Sequence, residues 1–175
     1  MKQIVLASAF ILAAAGAFAQ SATESTGVNS ALGVAPKTED FILQASASDM
    51  FEVESNKLAL QKGDETTKAF AQQMVTDHEK TTAELKALLT SGKVQGNPVT
   101  ALTEDHMEEV DELAKLDGAG FNDEYIDDQV EAHEDAVDLF KRYAEEGENA
   151  DLKAWAGKTL PALAHHYKMA QDLDK

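Results

Sequence analysis

The 175-residue sequence contains no cysteine, only three prolines and few aromatic residues (6%). The absence of cysteine excludes a disulfide scaffold, a zinc ribbon and a thiol enzyme. Basic residues are also scarce, with 15 Lys and Arg against 32 Asp and Glu and a formal net charge of −17. Because proteins bind nucleic acid by neutralising phosphates with Lys and Arg, this charge excludes a nucleic-acid partner and disfavours an anionic membrane surface.

The sequence also lacks the local motifs of common enzymes. It has no Gly-rich phosphate loop, no nucleophile elbow and no EF-hand loop. We therefore predict no catalytic and no cofactor-binding residue, and we favour a protein that is not an enzyme.

Residues 1–19 have the pattern of an export signal. Lys2 precedes an apolar run that ends in Ala17-Phe18-Ala19, a small-x-small cleavage pattern. We expect cleavage after Ala19 and a periplasmic or otherwise exported protein without an integral membrane span, the alternative being an uncleaved anchor. Cleavage removes one lysine and no acidic residue, so the mature protein becomes one charge unit more negative.

Two regions follow the signal. Residues 20–37 are rich in Ser, Thr, Gly and Ala and show no apolar period, so we predict a disordered linker there. Residues 38–174 show helical periodicity and no sustained alternation of β-branched residues, which predicts a single all-α domain without strands.

Capping residues and glycines divide this domain into helices. Four long helices are predicted: Thr38 to Gly63, Asp64 (as N-cap) to Gly92, Asn122 (as N-cap) to Gly147, and Asn149 (as N-cap) to about Leu173. A shorter helix, opened by Asn97-Pro98 and ending before Gly118, is expected between the second and the third.

The lengths of the connections predict the topology. Few residues separate the first two long helices, and few separate the last two, so each pair forms an antiparallel hairpin. The connection between the second and third helices is long enough to return the chain to the other end of the bundle. This is the ferritin-like four-helix bundle with a long helical crossover.

Each long helix places one potential metal ligand on its buried seam, where apolar residues recur at helical spacing. Counted from the hairpin turns, the paired residues lie within about one to one and a half helical turns of the same level. We therefore predict that four side chains converge near the middle of the bundle: Glu52, His78, His133 and His166.

Two interpretations of these four residues compete. In the first, which we favour narrowly, the histidines form a metal-free polar layer in a non-enzymatic exported module for envelope stress or protein interaction. In the second, they hold one divalent transition metal such as zinc, iron or copper. If the metal is iron or copper, the site could carry out redox chemistry. A pH sensor is a third, weaker alternative. A protein partner or a homo-oligomer is compatible with each of them.

A carboxylate-bridged metal pair is not expected. Ferritin-like di-iron proteins carry Glu three residues before each ligand His. Here those positions hold Val75, Val130 and Leu163.

Three other residues near this seam were weighed. Asp77 is the best candidate to orient a ligand through a hydrogen bond. His106 lies on the apolar stripe of the crossover helix and is expected to pack against the bundle. His165 lies off the seam and is expected to be exposed.

Four segments carry a family resemblance: residues 51–59, residues 69–78, residues 118–133 and residues 160–166. Together they resemble the bacterial family known as domain of unknown function 4142, often described as predicted outer-membrane or exported proteins. The resemblance covers about residues 38–173. It implies a ferritin-like helical bundle and export, and it implies no established reaction.

Overall fold

The structure, a computed structural model, describes residues 21–25 and 27–175. The predicted export signal, residues 1–19 with its cleavage site after Ala19, lies outside the described residues. Within the described part of the chain, no helix is long and apolar enough to cross a membrane.

The described residues form helices and no strand, so the prediction of an all-α protein is confirmed. The helices are α1 (Ala22–Ser25), α2 (Val28–Ala31), α3 (Thr38–Lys62), α4 (Glu65–Thr90), α5 (Glu104–Lys115), α6 (Gly118–Glu146) and α7 (Ala150–Leu173).

The four long helices pack as a helical bundle made from two hairpins. The turn between α3 and α4 contains two residues, and the turn between α6 and α7 contains three. Helix α3 also packs against α6, α4 packs against α7, and α5 lies against α3 and α6. Short turns therefore hold the members of each hairpin in fixed register.

Sequence signals at the helix ends explain three of the four long helices. The side chains of Asp64 and Asn149 accept hydrogen bonds from the backbone N–H groups of Thr67 (2.8 Å) and Leu152 (3.0 Å), as N-cap residues do. Gly63 is required at the first turn because a Cβ there would lie 2.8 Å from the Ala59 carbonyl oxygen.

Two predicted helix starts are wrong. The crossover helix does not begin at Asn97-Pro98, because Thr103 caps it instead by accepting a hydrogen bond from the His106 N–H (3.2 Å). Asn122 does not cap α6, which begins at Gly118. The Asn122 side chain instead accepts a hydrogen bond from the Asp64 N–H (3.1 Å), so it ties α6 to the first hairpin turn.

Residues 21–37, where composition predicts a disordered linker, contain α1, α2 and several contacts with the bundle. Arg142 of α6 donates hydrogen bonds to the Val34 carbonyl (2.8 Å) and to the Glu24 carboxylate (3.2 Å). The Ser21 N–H donates to Asp40 (2.9 Å). These polar contacts fix the segment where its composition offers little apolar surface to bury.

The core consists of two apolar clusters, one toward each end of the bundle. One is built around an aromatic group in which Phe41 stacks on Tyr143, with ring centroids 4.1 Å apart. The other contains Phe70, Phe121 and Tyr125. Along α4, α6 and α7, the buried residues between the two clusters are polar, and the candidate site lies there.

The face of α6 toward α5 is strongly acidic. Burial, helped by the neighbouring carboxylates of Glu124, Glu109, Glu131 and Asp127, raises the pKa of Asp128 to about 7. Burial and nearby carboxylates also raise the pKa of Glu109 and of Asp135. Repulsion among these carboxylates therefore destabilises the folded state at neutral pH.

The substitution Asp128→Asn removes one of these carboxylates and tests whether it destabilises the folded state. The unfolded chain loses the Asp128 proton near the ordinary pKa of 3.8, whereas the folded protein keeps it to about 7. Stability therefore falls as pH rises between these values and is lowest above both. We expect the variant to raise the melting temperature by a few degrees at about pH 8 and to leave it unchanged at about pH 3, since solvent screening limits the gain.

The matched control for this prediction is Asp123→Asn, an exposed position on the same helix. Thermal melts of both variants at the two pH values are the measurement. An equal effect of the two variants at about pH 8 would contradict the account.

Candidate metal centre

Three histidines from three helices meet between the two apolar clusters. His78 lies on α4, His133 on α6 and His166 on α7, and all three are buried. The ring centroids are 5.5 to 5.6 Å apart, and one ligand nitrogen of each ring lies within 4.8 Å of the other two. The structure thus brings together three of the four residues that the helix seams predict.

Each ring is held by a hydrogen bond at one of its nitrogens. His78 Nδ1 lies 2.9 Å from Asp49 Oδ1, and His166 Nε2 lies 3.0 Å from Asp77 Oδ2. His133 Nδ1 lies 2.8 Å from the carbonyl oxygen of Gln129, one turn earlier in the same helix. Acceptors of this kind orient histidine ligands in metal sites.

The other nitrogen of each ring is buried and has no hydrogen-bond partner among the described residues: His78 Nε2, His133 Nε2 and His166 Nδ1. A carbonyl oxygen only accepts, so His133 Nδ1 must carry a proton. In the neutral ring, His133 Nε2 is then a bare lone pair. The hydrogen bonds to Asp49 and Asp77 leave the free nitrogens of His78 and His166 in the same condition when those rings are neutral.

The size of this cluster suits one metal ion after a small adjustment. Three atoms within 4.8 Å of one another surround a point that is no more than about 2.8 Å from each. Zinc binds imidazole nitrogen at about 2.0–2.1 Å. An inward movement of less than about 1 Å by each ring therefore reaches ligand distance.

The pKa values of two of the histidines favour the neutral, ligating form. Burial lowers the pKa of His133, opposed by Glu52, and the charge of His78 lowers it further. Burial lowers the pKa of His166 to about 4, helped by the charges of His78 and His133 and opposed by Asp77.

His78 differs from these two rings. Burial acts to lower its pKa, but the hydrogen bond from its ring to Asp49 and the charges of Glu52, Asp49 and Asp77 together raise it. His78 is thus the ring on which a proton competes with a metal ion at this centre.

Glu52, the fourth predicted ligand, is buried beside the cluster and is not among the three converging groups. Its Oε1 lies 3.6 Å from His133 Nδ1, on the side of the ring that faces Gln129, and has no hydrogen-bond partner in the described part of the chain. Its Oε2 accepts a hydrogen bond from Asn56 Nδ2 (2.8 Å), and Asn56 Oδ1 accepts one from the Tyr125 hydroxyl (2.5 Å). This chain holds the carboxylate away from the free histidine nitrogens.

Asp49 also contacts the cluster and was not predicted from the sequence. Besides His78, its carboxylate accepts hydrogen bonds from the hydroxyls of Thr81 (2.8 Å) and Thr82 (3.1 Å). The available signal was its position three residues before Glu52, on the same face of α3. The carbonyl of Gln129 carried no side-chain signal at all.

The remaining candidates lie as follows. Asp77 contacts a candidate ligand, as expected, but that ligand is His166 on another helix. His106 is half-buried and stacks on Phe51 with ring centroids 4.9 Å apart, so its packing role is confirmed. His165 is exposed, as predicted.

The fold and the site thus define an all-helical bundle protein with a buried cluster of three histidines. The chain belongs to the family described as "Domain of unknown function (DUF4142)", which it matches over residues 23–173. This range includes most of the N-terminal segment that precedes α3. No curated protein and no solved structure is significantly similar to the chain.

Proposed function

We propose that the protein binds one divalent transition metal ion through His78, His133 and His166. The observation that carries this proposal is the convergence of three buried imidazole rings, each with one nitrogen that has no hydrogen-bond partner among the residues that the structure describes. The large majority of buried side-chain polar atoms in folded proteins have a hydrogen-bond partner, so three unpartnered nitrogens on three converging rings indicate a missing common partner.

The charges around the cluster support a cation as that partner. Asp49 and Glu52 are buried, Asp77 is half-buried, and all three lie beside the histidines. Among the ion pairs of the described residues, none joins a Lys or Arg to any of these carboxylates. A divalent ion at the centre compensates this negative charge in a place where desolvation makes uncompensated charge expensive.

The competing interpretation, a metal-free polar layer, is less well supported. Such a layer requires the histidines and the neighbouring carboxylate and hydroxyl groups to satisfy one another fully through hydrogen bonds. The structure pairs each ring at one nitrogen, with Asp49, the Gln129 carbonyl and Asp77, but leaves the second nitrogen of each ring without a partner in the described part of the chain. We therefore reverse the narrow preference that the sequence alone gives.

Imidazole ligands suit zinc, copper and iron. We propose a mononuclear centre with three protein ligands, in which Glu52 supplies charge and does not bind the metal directly. The two-hairpin arrangement and the long connection between α4 and α6 support a ferritin-like architecture for the bundle that holds it.

Thermal melts with added Zn²⁺, Co²⁺ or Cu²⁺ test the metal site. A ligand that binds only the folded state stabilises it, and a metal at a hundred times its Kd contributes about 2.7 kcal/mol, or roughly 5–10 °C in melting temperature. We expect this rise in the unmodified protein and its loss in His133→Ala. His165→Ala is the control, since it removes an exposed histidine from the same protein and is expected to retain the full rise.

Two results would count against the site. One is a melting temperature that none of the three metals raises in the unmodified protein. The other is a rise that His133→Ala retains in full, because the metal would then bind elsewhere.

We also propose, from the pattern of residues 1–19, that the protein acts outside the cytoplasm. Mass spectrometry of the protein from the periplasmic or culture fraction of its bacterium is expected to show an N-terminus at Gln20. A protein that retains residues 1–19 in the cell interior would refute this proposal.

A further inference from the structure

A small cleft opens between α4 and α7 beside the three-histidine cluster. It has a volume of about 80 Å³ and is lined by the rings of His78 and His166 together with Asp77, Thr81 and Thr159, among others. A bound water needs about 10–15 Å³ of such volume, so the cleft holds a molecule of a few atoms. His133 does not line it, so the cleft lies on the side of the cluster away from that ring.

Some polar groups of the cleft have hydrogen-bond or ion-pair partners among the described residues, and others have none. The Thr159 side chain is buried, and within the described residues its hydroxyl makes no hydrogen bond. Lys80, which also lines the cleft, forms no ion pair with another described residue, although its charge acts on Glu84. A hydroxyl donor without a partner and a lysine without an ion pair favour a ligand that accepts hydrogen bonds and carries negative charge.

The two carboxylates of the cleft are already occupied. Glu84 accepts hydrogen bonds from Lys158 Nζ (3.1 Å) and from the Trp155 ring N–H (3.1 Å). Asp77 accepts one from His166. Lys158 partly compensates the charge of Glu84, and the metal ion proposed above would compensate that of Asp77, so the two carboxylates do not close the cleft to an anion.

The number of protein ligands indicates whether the proposed metal ion has an open coordination position. Zinc sites that bind external molecules have three protein ligands and an open fourth position, whereas purely structural sites are closed by four. The cluster offers three nitrogens, and the Asn56–Tyr125 chain restrains Glu52 from becoming the fourth ligand.

We propose that the metal's open coordination position faces the cleft between α4 and α7 and binds a small anion of two or three atoms. This inference rests on the metal site proposed above and adds to it the class of external ligand. The ligand enters between the His78 and His166 rings, and the Thr159 hydroxyl donates a hydrogen bond to it.

Azide is the probe for this inference. The protein is first loaded with Cu²⁺, and one bound copper per chain is verified by calorimetry and by the copper visible spectrum. Titration with azide is then expected to produce an azide-to-copper charge-transfer band that saturates at one azide per copper.

Three variants test whether azide binds in the cleft between α4 and α7. Ala162→Phe, at an exposed position that lines the cleft on α7, is expected to bind copper normally and to weaken azide binding at least about tenfold. Ala154→Phe, the same change at an exposed position on α7 outside the cleft, is the control and keeps normal azide affinity. Thr159→Val keeps the side-chain shape, retains copper and weakens azide binding several-fold through loss of the hydroxyl donor.

The outcomes separate the two proposals. Failure to bind copper, together with melts that neither Zn²⁺ nor Co²⁺ raises, overturns the metal site itself. Normal copper binding without an azide band shows that the coordination position is closed, and unchanged azide affinity in Ala162→Phe shows that the ligand does not use this cleft. Either of these last two results overturns the present inference and leaves the metal site intact.

Discussion

The main physical constraint on this structure is the burial of three imidazole lone pairs between two apolar clusters, because burying unpaired polar atoms costs free energy. An unsatisfied buried polar group costs about 1–3 kcal/mol, and a typical domain has only about 5–15 kcal/mol of net stability. The bundle orients these groups inward through outward hydrogen bonds to Asp49, the Gln129 carbonyl and Asp77. The metal ion proposed for the centre would convert this cost into binding energy, and it is the simplest physical explanation of the arrangement.

The three histidines were predictable because their convergence follows from helix periodicity and short turns. A histidine on the seam of a long helix faces the core, and the turns at Gly63 and Gly147 set the levels at which the hairpin partners meet. The same reasoning placed Glu52 on the seam correctly, but it cannot foresee that Asn56 holds the carboxylate to one side. Side-chain rotation is decided by such neighbours, and periodicity carries no information about them.

Other features depend on contacts that are distant in the chain. Asn122 is a residue type that often caps helices, yet its side chain accepts a hydrogen bond from the backbone N–H of Asp64, 58 residues away. The segment 21–37 has the composition of a linker, yet Arg142 binds it over a separation of 108 residues at Val34. Local propensity describes these segments as isolated peptides, and tertiary hydrogen bonds override it.

The acidity from which we expect no nucleic-acid partner also favours the binding of cations. A net charge of −17 produces a field that concentrates cations near the protein, and the carboxylates nearest the histidines continue that field into the core. X-ray absorption at the metal edge of the zinc-loaded protein tests the central claim most directly. The account predicts three imidazole nitrogens at about 2.0–2.1 Å, recognised by the outer scattering of their rings, and one lighter external ligand. A shell of oxygen ligands without imidazole scattering would contradict it.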